Sequence, residues 1–132
     1  MLAIGVDLTV LTRAEGGRRN PIGGDGYTPC GYRPNWGLPG MTPPAQTGGP
    51  VQCFGHHPVL LGDTLRAVLI PMFPDEVPGW HDLRGGEVLP MYEGSRVCGR
   101  ATVLWIRAVT LPLPEPDAAR FAEWARGGPE PT

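Results

Sequence analysis

Leu2, Ile4, Val6, Leu8 and Val10 alternate with Ala3, Gly5, Asp7 and Thr9, the period of two expected of a strand with one buried face. This is the clearest strand pattern in the chain. It runs directly into Arg13-Ala14-Glu15-Gly16-Gly17-Arg18-Arg19-Asn20-Pro21, where paired glycines permit positive φ and Pro21 has no amide proton to give a ladder. A tight, charged loop is predicted there. Around Pro34, Tyr32 and Trp36 predict a strand confined to an edge, a bulge or a strand start. Residues 51–54 read as a short strand. Residues 64–70, apolar except for Thr64 and Arg66, suit a central one. Residues 87–92 and 96–107 predict a hairpin around Glu93-Gly94-Ser95. Its second arm places Val97, Gly99, Ala101, Val103 and Trp105 on one face, and Cys98, Arg100, Thr102, Leu104 and Ile106 on the other. Gly99 marks a bulge or a close backbone approach.

After Pro112, Pro114 and Pro116 the period changes to 3.6: Ala118, Phe121, Ala122 and Ala125 share a face, Asp117 is placed to cap, and Gly127 follows the end. This predicts a short C-terminal helix over residues 117–126, packing Phe121 on the sheet, with a frayed tail beyond it. The chain thus divides into a β domain, residues 1–113, and a Pro-rich linker, helix and tail, residues 114–132. Residues 23–29 read as an exposed turn. Residues 39–50 and 71–86 read as long loops, the first being the most mobile.

At 132 residues the chain is one domain. Its 20 glycines and 17 prolines would indicate disorder in a polar chain, but 41% of residues are hydrophobic and lie in short bounded runs. That combination means many short strands joined by tight turns. All 11 basic residues are arginine, which fits a GC-rich bacterial genome, and each is a planar fork for carboxylate or phosphate. A net charge of −2 weighs against non-specific binding along nucleic acid and leaves room for a local arginine cluster. Cys30, Cys53 and Cys98, odd in number and widely spaced, fit reduced thiols in a cytoplasmic protein. The first apolar stretch contains Asp7 and has no basic residue ahead of it, so it reads as a core strand and not a signal peptide. No run approaches the ~20 apolar residues of a membrane span, so no membrane partner is expected.

Cys53, His56 and His57 invite a metal reading, with Cys30, Cys98 or His81 as further ligands, but their spacing matches no zinc pattern. No C-x-x-C, G-x-S-x-G or H-E-x-x-H motif occurs, and a chain without lysine has no P-loop. A non-enzymatic protein with no metal or other cofactor is therefore expected. Trp36, Trp105 and Trp124 read as packing residues. Trp80, beside His81 among turn residues, reads as an exposed aromatic for a partner.

Glu15-Gly16-Gly17-Arg18, Gly31-Tyr32-Arg33-Pro34, Leu61-Gly62-Asp63-Thr64-Leu65 and Glu93-Gly94-Ser95-Arg96-Val97 occur in that order. Together they resemble the C-terminal β-barrel domain of elongation factor Tu, with its EGGR loop, GYRPQF strand, PGD turn and REGGRTVG hairpin. The resemblance covers residues 2–106 and implies an all-β fold: a six-stranded closed antiparallel Greek-key barrel, to which the short C-terminal helix is an addition. Asn35 stands for the family's glutamine and Ser95 for a glycine. The resemblance also implies a stand-alone binding module without a GTPase domain, with tRNA or a translation component as partner. In that role Arg18 pairs with phosphate, Asn35 and Glu93 bond ribose hydroxyls, and Gly94 lets the backbone come close. The alternative is a protein-interaction barrel, an immunity or regulatory protein that has lost the RNA site and uses the loops over residues 39–50 and 71–86. Both glycine motifs also have a purely structural reading, in which Arg18 pairs with a neighbouring carboxylate and Gly94 serves the hairpin turn.

Overall fold

The structure, a computed structural model, describes residues 1–23, 31–43 and 45–131; most of the turn read over residues 23–29, together with Cys30, lies outside them. Its strands are β1 (Leu2–Val10), β2 (Asn35–Trp36), β3 (Thr47–Gly48), β4 (Val51–Phe54), β5 (Thr64–Leu69), β6 (Val88–Glu93) and β7 (Arg96–Ala108), followed by one helix, α1 (Glu115–Ala125). The strands form a single seven-stranded antiparallel sheet in the order β3-β2-β6-β7-β1-β5-β4, curled strongly into a half-barrel. β1 lies between β5 and β7. The expected inner face is formed, with Ile4, Val6, Leu8 and Val10 wholly buried in the main core, but the other face is open only at Asp7 and in part at Thr9: Ala3 and Gly5 are buried too, Ala3 in the apolar cluster beneath the C-terminal helix.

Seven strands are found where six were expected, because residues 47–54 are divided. Thr47 and Gly48 pair with β2, Val51 to Phe54 pair with β5, and Pro50, which lacks an amide proton, lies between them. β3 falls within what read as a loop. The two edges of the sheet are consequently only two residues apart along the chain. Gly49 N–H donates to Pro34 O at 3.2 Å and Val51 N–H to Tyr32 O at 3.0 Å, while Ile70 N–H donates to Pro50 O at 3.0 Å and Met72 N–H to Gly48 O at 3.3 Å.

Two register shifts reassign the faces of β7. Opposite Gly5 and Val6 stand Trp105 and Val103, so Leu104 is the extra residue and Trp105 turns to the convex face. Gly5 makes room for it: a Cβ there would lie 2.1 Å from the Trp105 ring. The predicted sharing of a face by Val103 and Trp105 is thus corrected. The second shift sets Met91 opposite Gly99 and Tyr92 opposite Val97, leaving Cys98 as the extra residue, turned into the core. Gly99 is a close approach, as expected, since a Cβ would meet Thr9 O at 2.8 Å.

Trp80 is not an exposed partner residue. A 3-10 turn, Pro78–Trp80, swings the ring inward until it is 0% exposed, and its Nε1 donates to Thr47 Oγ1 at 3.3 Å. α1 starts two residues earlier than predicted, because Pro116 is tolerated in the first turn, where the missing N–H costs little. Asp117 lies inside the helix and does not cap it: its own N–H donates to Pro114 O at 3.0 Å. Phe121, Trp124 and Ala125 pack with Ala3, Val68, Ile70 and Trp105 in a second apolar cluster. Trp105 meets Trp124 edge-on at 5.2 Å and Phe121 at 5.4 Å between ring centroids.

The tail is tied down and not frayed. Arg66 lies 4.9 Å over the Trp124 ring and donates to Trp124 O at 2.9 Å and Gly128 O at 3.0 Å. Arg107 Nη2 donates to Pro131 O. No helix among the described residues is long and apolar enough to cross a membrane.

Candidate functional site at the hairpin end

The loop after β1 is built by its own polar groups. Glu15 Oε1 accepts from Thr12 N–H and Thr12 Oγ1–H, both at 3.0 Å, and these bonds hold its carboxyl below the ordinary range. Gly16 and Gly17 N–H donate to Arg13 O and Thr12 O, both at 2.9 Å. The two glycines are required for different reasons. Gly16 has φ +88°, whereas Gly17 has an ordinary φ but passes so close to β1's end that a Cβ would lie 2.5 Å from Leu11 O.

This turn delivers Arg18 to the β6–β7 hairpin. Arg18 Nη1 donates to Glu93 Oε2, Nε donates to Asn20 O at 3.0 Å, and the guanidinium lies 5.4 Å over the Tyr32 ring. Tyr32 O–H donates to the same Glu93 Oε2 at 2.5 Å, and Cys98 Sγ stands 3.7 Å from both Glu93 Oε2 and Tyr32 Oη. One carboxylate oxygen is therefore shared by a cation, Arg18, and two neutral groups, the Tyr32 hydroxyl and the Cys98 thiol. Burial opposes the charge on Arg18, yet Glu93's bond and charge, together with Tyr32, more than offset it and raise its pKa. Burial, acting with the neighbouring Cys98 and Glu93, pushes the Tyr32 phenol up. The Cys98 thiol is pushed up to about 11, chiefly by burial, and so stays protonated at neutral pH.

Outside the pair is an open pocket of about 440 Å³ lined by Arg18, Arg19, Asn20, Glu93, Ser95 and Arg96. Gly94 forms the first position of the two-residue turn, with φ +60°, and its carbonyl accepts from Gln46 Nε2 at 2.8 Å, which ties the hairpin to residues 39–50. Of the residues singled out in the sequence, Arg18, Glu93 and Gly94 come together here. Asn35 pairs in register with Tyr92 on the neighbouring strand and does not line this pocket. Cys53, His56 and His57 form no ligand set: His56 Nε2 is 3.0 Å from Asp63 Oδ2, and no three His, Cys, Asp or Glu side chains group together among the described residues. That bond, with Leu60 N–H, holds the Asp63 carboxyl below its ordinary range.

Sequence reasoning passed over Arg13, Arg19, Arg96, Tyr32 and Cys98 as members of the site. Three arginines within residues 13–19 were a visible signal, but the fourth, Arg96, joins them only through strand pairing. No family model matches the chain, and no curated protein matches it.

Proposed function

We propose that the chain is a non-enzymatic binding module of the elongation factor Tu C-terminal barrel type, whose hairpin end contacts RNA, with tRNA as the form the resemblance indicates. The observation that carries this reading is the meeting of Arg18 with Glu93, 75 residues apart and each drawn from a different motif of the resemblance, at the rim of a pocket shared with Arg19 and Arg96. In this reading residues 47–54 are one strand broken at Gly49-Pro50, which makes the sheet a six-stranded closed Greek-key barrel. The four backbone bonds around Gly48 to Val51 support that view. Arg18 and its arginine neighbours face phosphates, the Glu93 carboxylate accepts from a ribose hydroxyl, and Asn35 extends the contact onto the next strand.

The test is a fluorescence-anisotropy titration with aminoacylated and uncharged tRNA at low and near-physiological salt. Saturable binding that survives added salt and falls in Arg18→Ala is the expected result. Absence of binding at low salt would reject the RNA reading. A protein-interaction barrel is favoured by a second feature, a groove of about 180 Å³ lined in part by Leu38, Met41, Val88, Pro90 and Tyr92. Its rim carries Val88 at 54% exposure, an apolar side chain open to a partner.

A further inference from the structure

Beside the Arg18 pocket lies a second basin, about 630 Å³, lined by Arg13, Gly16, Gly17, Arg19 and Arg96; the two share Arg19 and Arg96. Its three arginines differ from Arg18 in one respect. Among the described residues, carboxylates lie within 4.0 Å of Arg18 and Arg120, and none lies so near Arg13, Arg19 or Arg96. Glu15, the acid of this loop, is turned onto Thr12. Two of the guanidiniums are held by backbone oxygens instead: Arg13 Nε and Nη2 donate to Arg19 O at 2.9 and 2.6 Å, and Arg96 Nη1 reaches Gly17 O at 3.4 Å. A guanidinium carries five N–H donors, so Arg13 keeps three beyond these bonds and Arg96 four.

Three like charges around one basin repel one another, and an anion that bridges them relieves the repulsion. A single phosphate fills a small part of the volume. Gly16, which lines the basin, has no atom within 4 Å of the place its Cβ would take, so the backbone is open on that side. Planar forks set by carbonyls favour bidentate phosphate contacts over diffuse attraction.

We infer that this basin is a site for a compact oligophosphate, two or three linked phosphate groups, bridged by Arg13, Arg19 and Arg96. The phosphates come either from a free polyphosphate or from consecutive phosphodiesters of a nucleic acid strand. The inference goes beyond the tRNA reading and does not require it.

Isothermal titration of the full chain with tripolyphosphate, orthophosphate and an oligoribonucleotide lacking terminal phosphates tests it. Tripolyphosphate is expected to bind at one site at least about tenfold more tightly than orthophosphate. Arg96→Ala should weaken it by about tenfold with an unchanged melting temperature, and Arg120→Ala on α1 should leave it as it was. Competition by the oligoribonucleotide, itself weakened by Arg96→Ala, identifies the polymer as the source. Tripolyphosphate binding without competition by the oligoribonucleotide supports the site and identifies a free polyphosphate as the source, while the tRNA titration decides the tRNA reading separately. The inference is overturned if tripolyphosphate binds no more tightly than orthophosphate, or if Arg96→Ala and Arg120→Ala weaken it equally.

Discussion

Replacing Glu93 by alanine removes the one acceptor shared by Arg18 and Tyr32. The Tyr32 residue is 4% exposed and the Arg18 side chain 15%, so neither donor turns freely to water, whereas Glu93's side chain is 36% exposed and the pocket beside it admits solvent. The cost therefore falls between the ≤1 kcal/mol of a surface pair and the 3–5 kcal/mol of breaking a buried one, at about 2–3 kcal/mol. With an unfolding entropy of about 2.1 cal/mol/K per residue, that lowers the melting temperature by roughly 7–11 °C. Glu93→Gln keeps an oxygen for one donor and should lose about half as much. Tryptophan fluorescence in urea or on heating reads both. In a double-mutant cycle, Arg18→Ala and Glu93→Ala should be less than additive by about 1 kcal/mol or more, because each single variant strands the partner's charge. Additivity within about 0.3 kcal/mol, or a melting shift below about 2 °C for Glu93→Ala, would refute the view that this carboxylate organises the hairpin end.

Gly17→Ala should cost about 1–3 kcal/mol through collision with the Leu11 carbonyl, and Gly16→Ala about 1 kcal/mol through its positive φ; urea unfolding that ranks them the other way contradicts the loop geometry. In the fold, Cys98 and Tyr32 keep their protons over a pH range in which the unfolded chain has lost them. The unfolded state then binds fewer protons, so stability is full below about pH 9 and declines above it, and the urea midpoint of Cys98→Ser should decline less between about pH 9 and 11. An unchanged slope in that variant rules the thiol out as the cause. Trp105→Ala should cost about 3–5 kcal/mol and speed amide exchange in α1 more than in β1, since the ring joins the helix to the sheet. Uniform loss of protection would show that the helix is not a separable layer.

Where one residue's neighbours are set by its own strand, the fold was legible: β1, β4 and the turn at Gly94-Ser95 follow directly from period and turn chemistry. It was not legible where partner strands decide. The alternation along β7 fails at Leu104 and at Cys98, because a bulge depends on what stands opposite, and the absence of a side chain at Gly5 is what lets Trp105 turn outward. Trp80 was misread because loop composition reports where a backbone bends and carries no information about the direction of a ring. Asp117 drew the helix start toward itself as the best capping residue, whereas Pro116 was already helical. The structural reading of the first loop asked for a carboxylate beside Arg18, and Glu93 supplies it. The arginine basin was partly visible, since residues 13–19 announce two of its three charges, but the placement of Arg96 is a property of the hairpin's docking on β1.

The division of residues 47–54 governs how another molecule can approach. An uncovered sheet edge invites a further strand, from a partner in recognition or from a second copy in aggregation. Here β3 and β4 are the outermost strands, and the same short segment that forms them spends its carbonyls at Gly48 and Pro50 on Met72 and Ile70 and its amides at Gly49 and Val51 on Pro34 and Tyr32. An incoming strand would have to displace these bonds before making its own. Main-chain addition is therefore resisted at the seam.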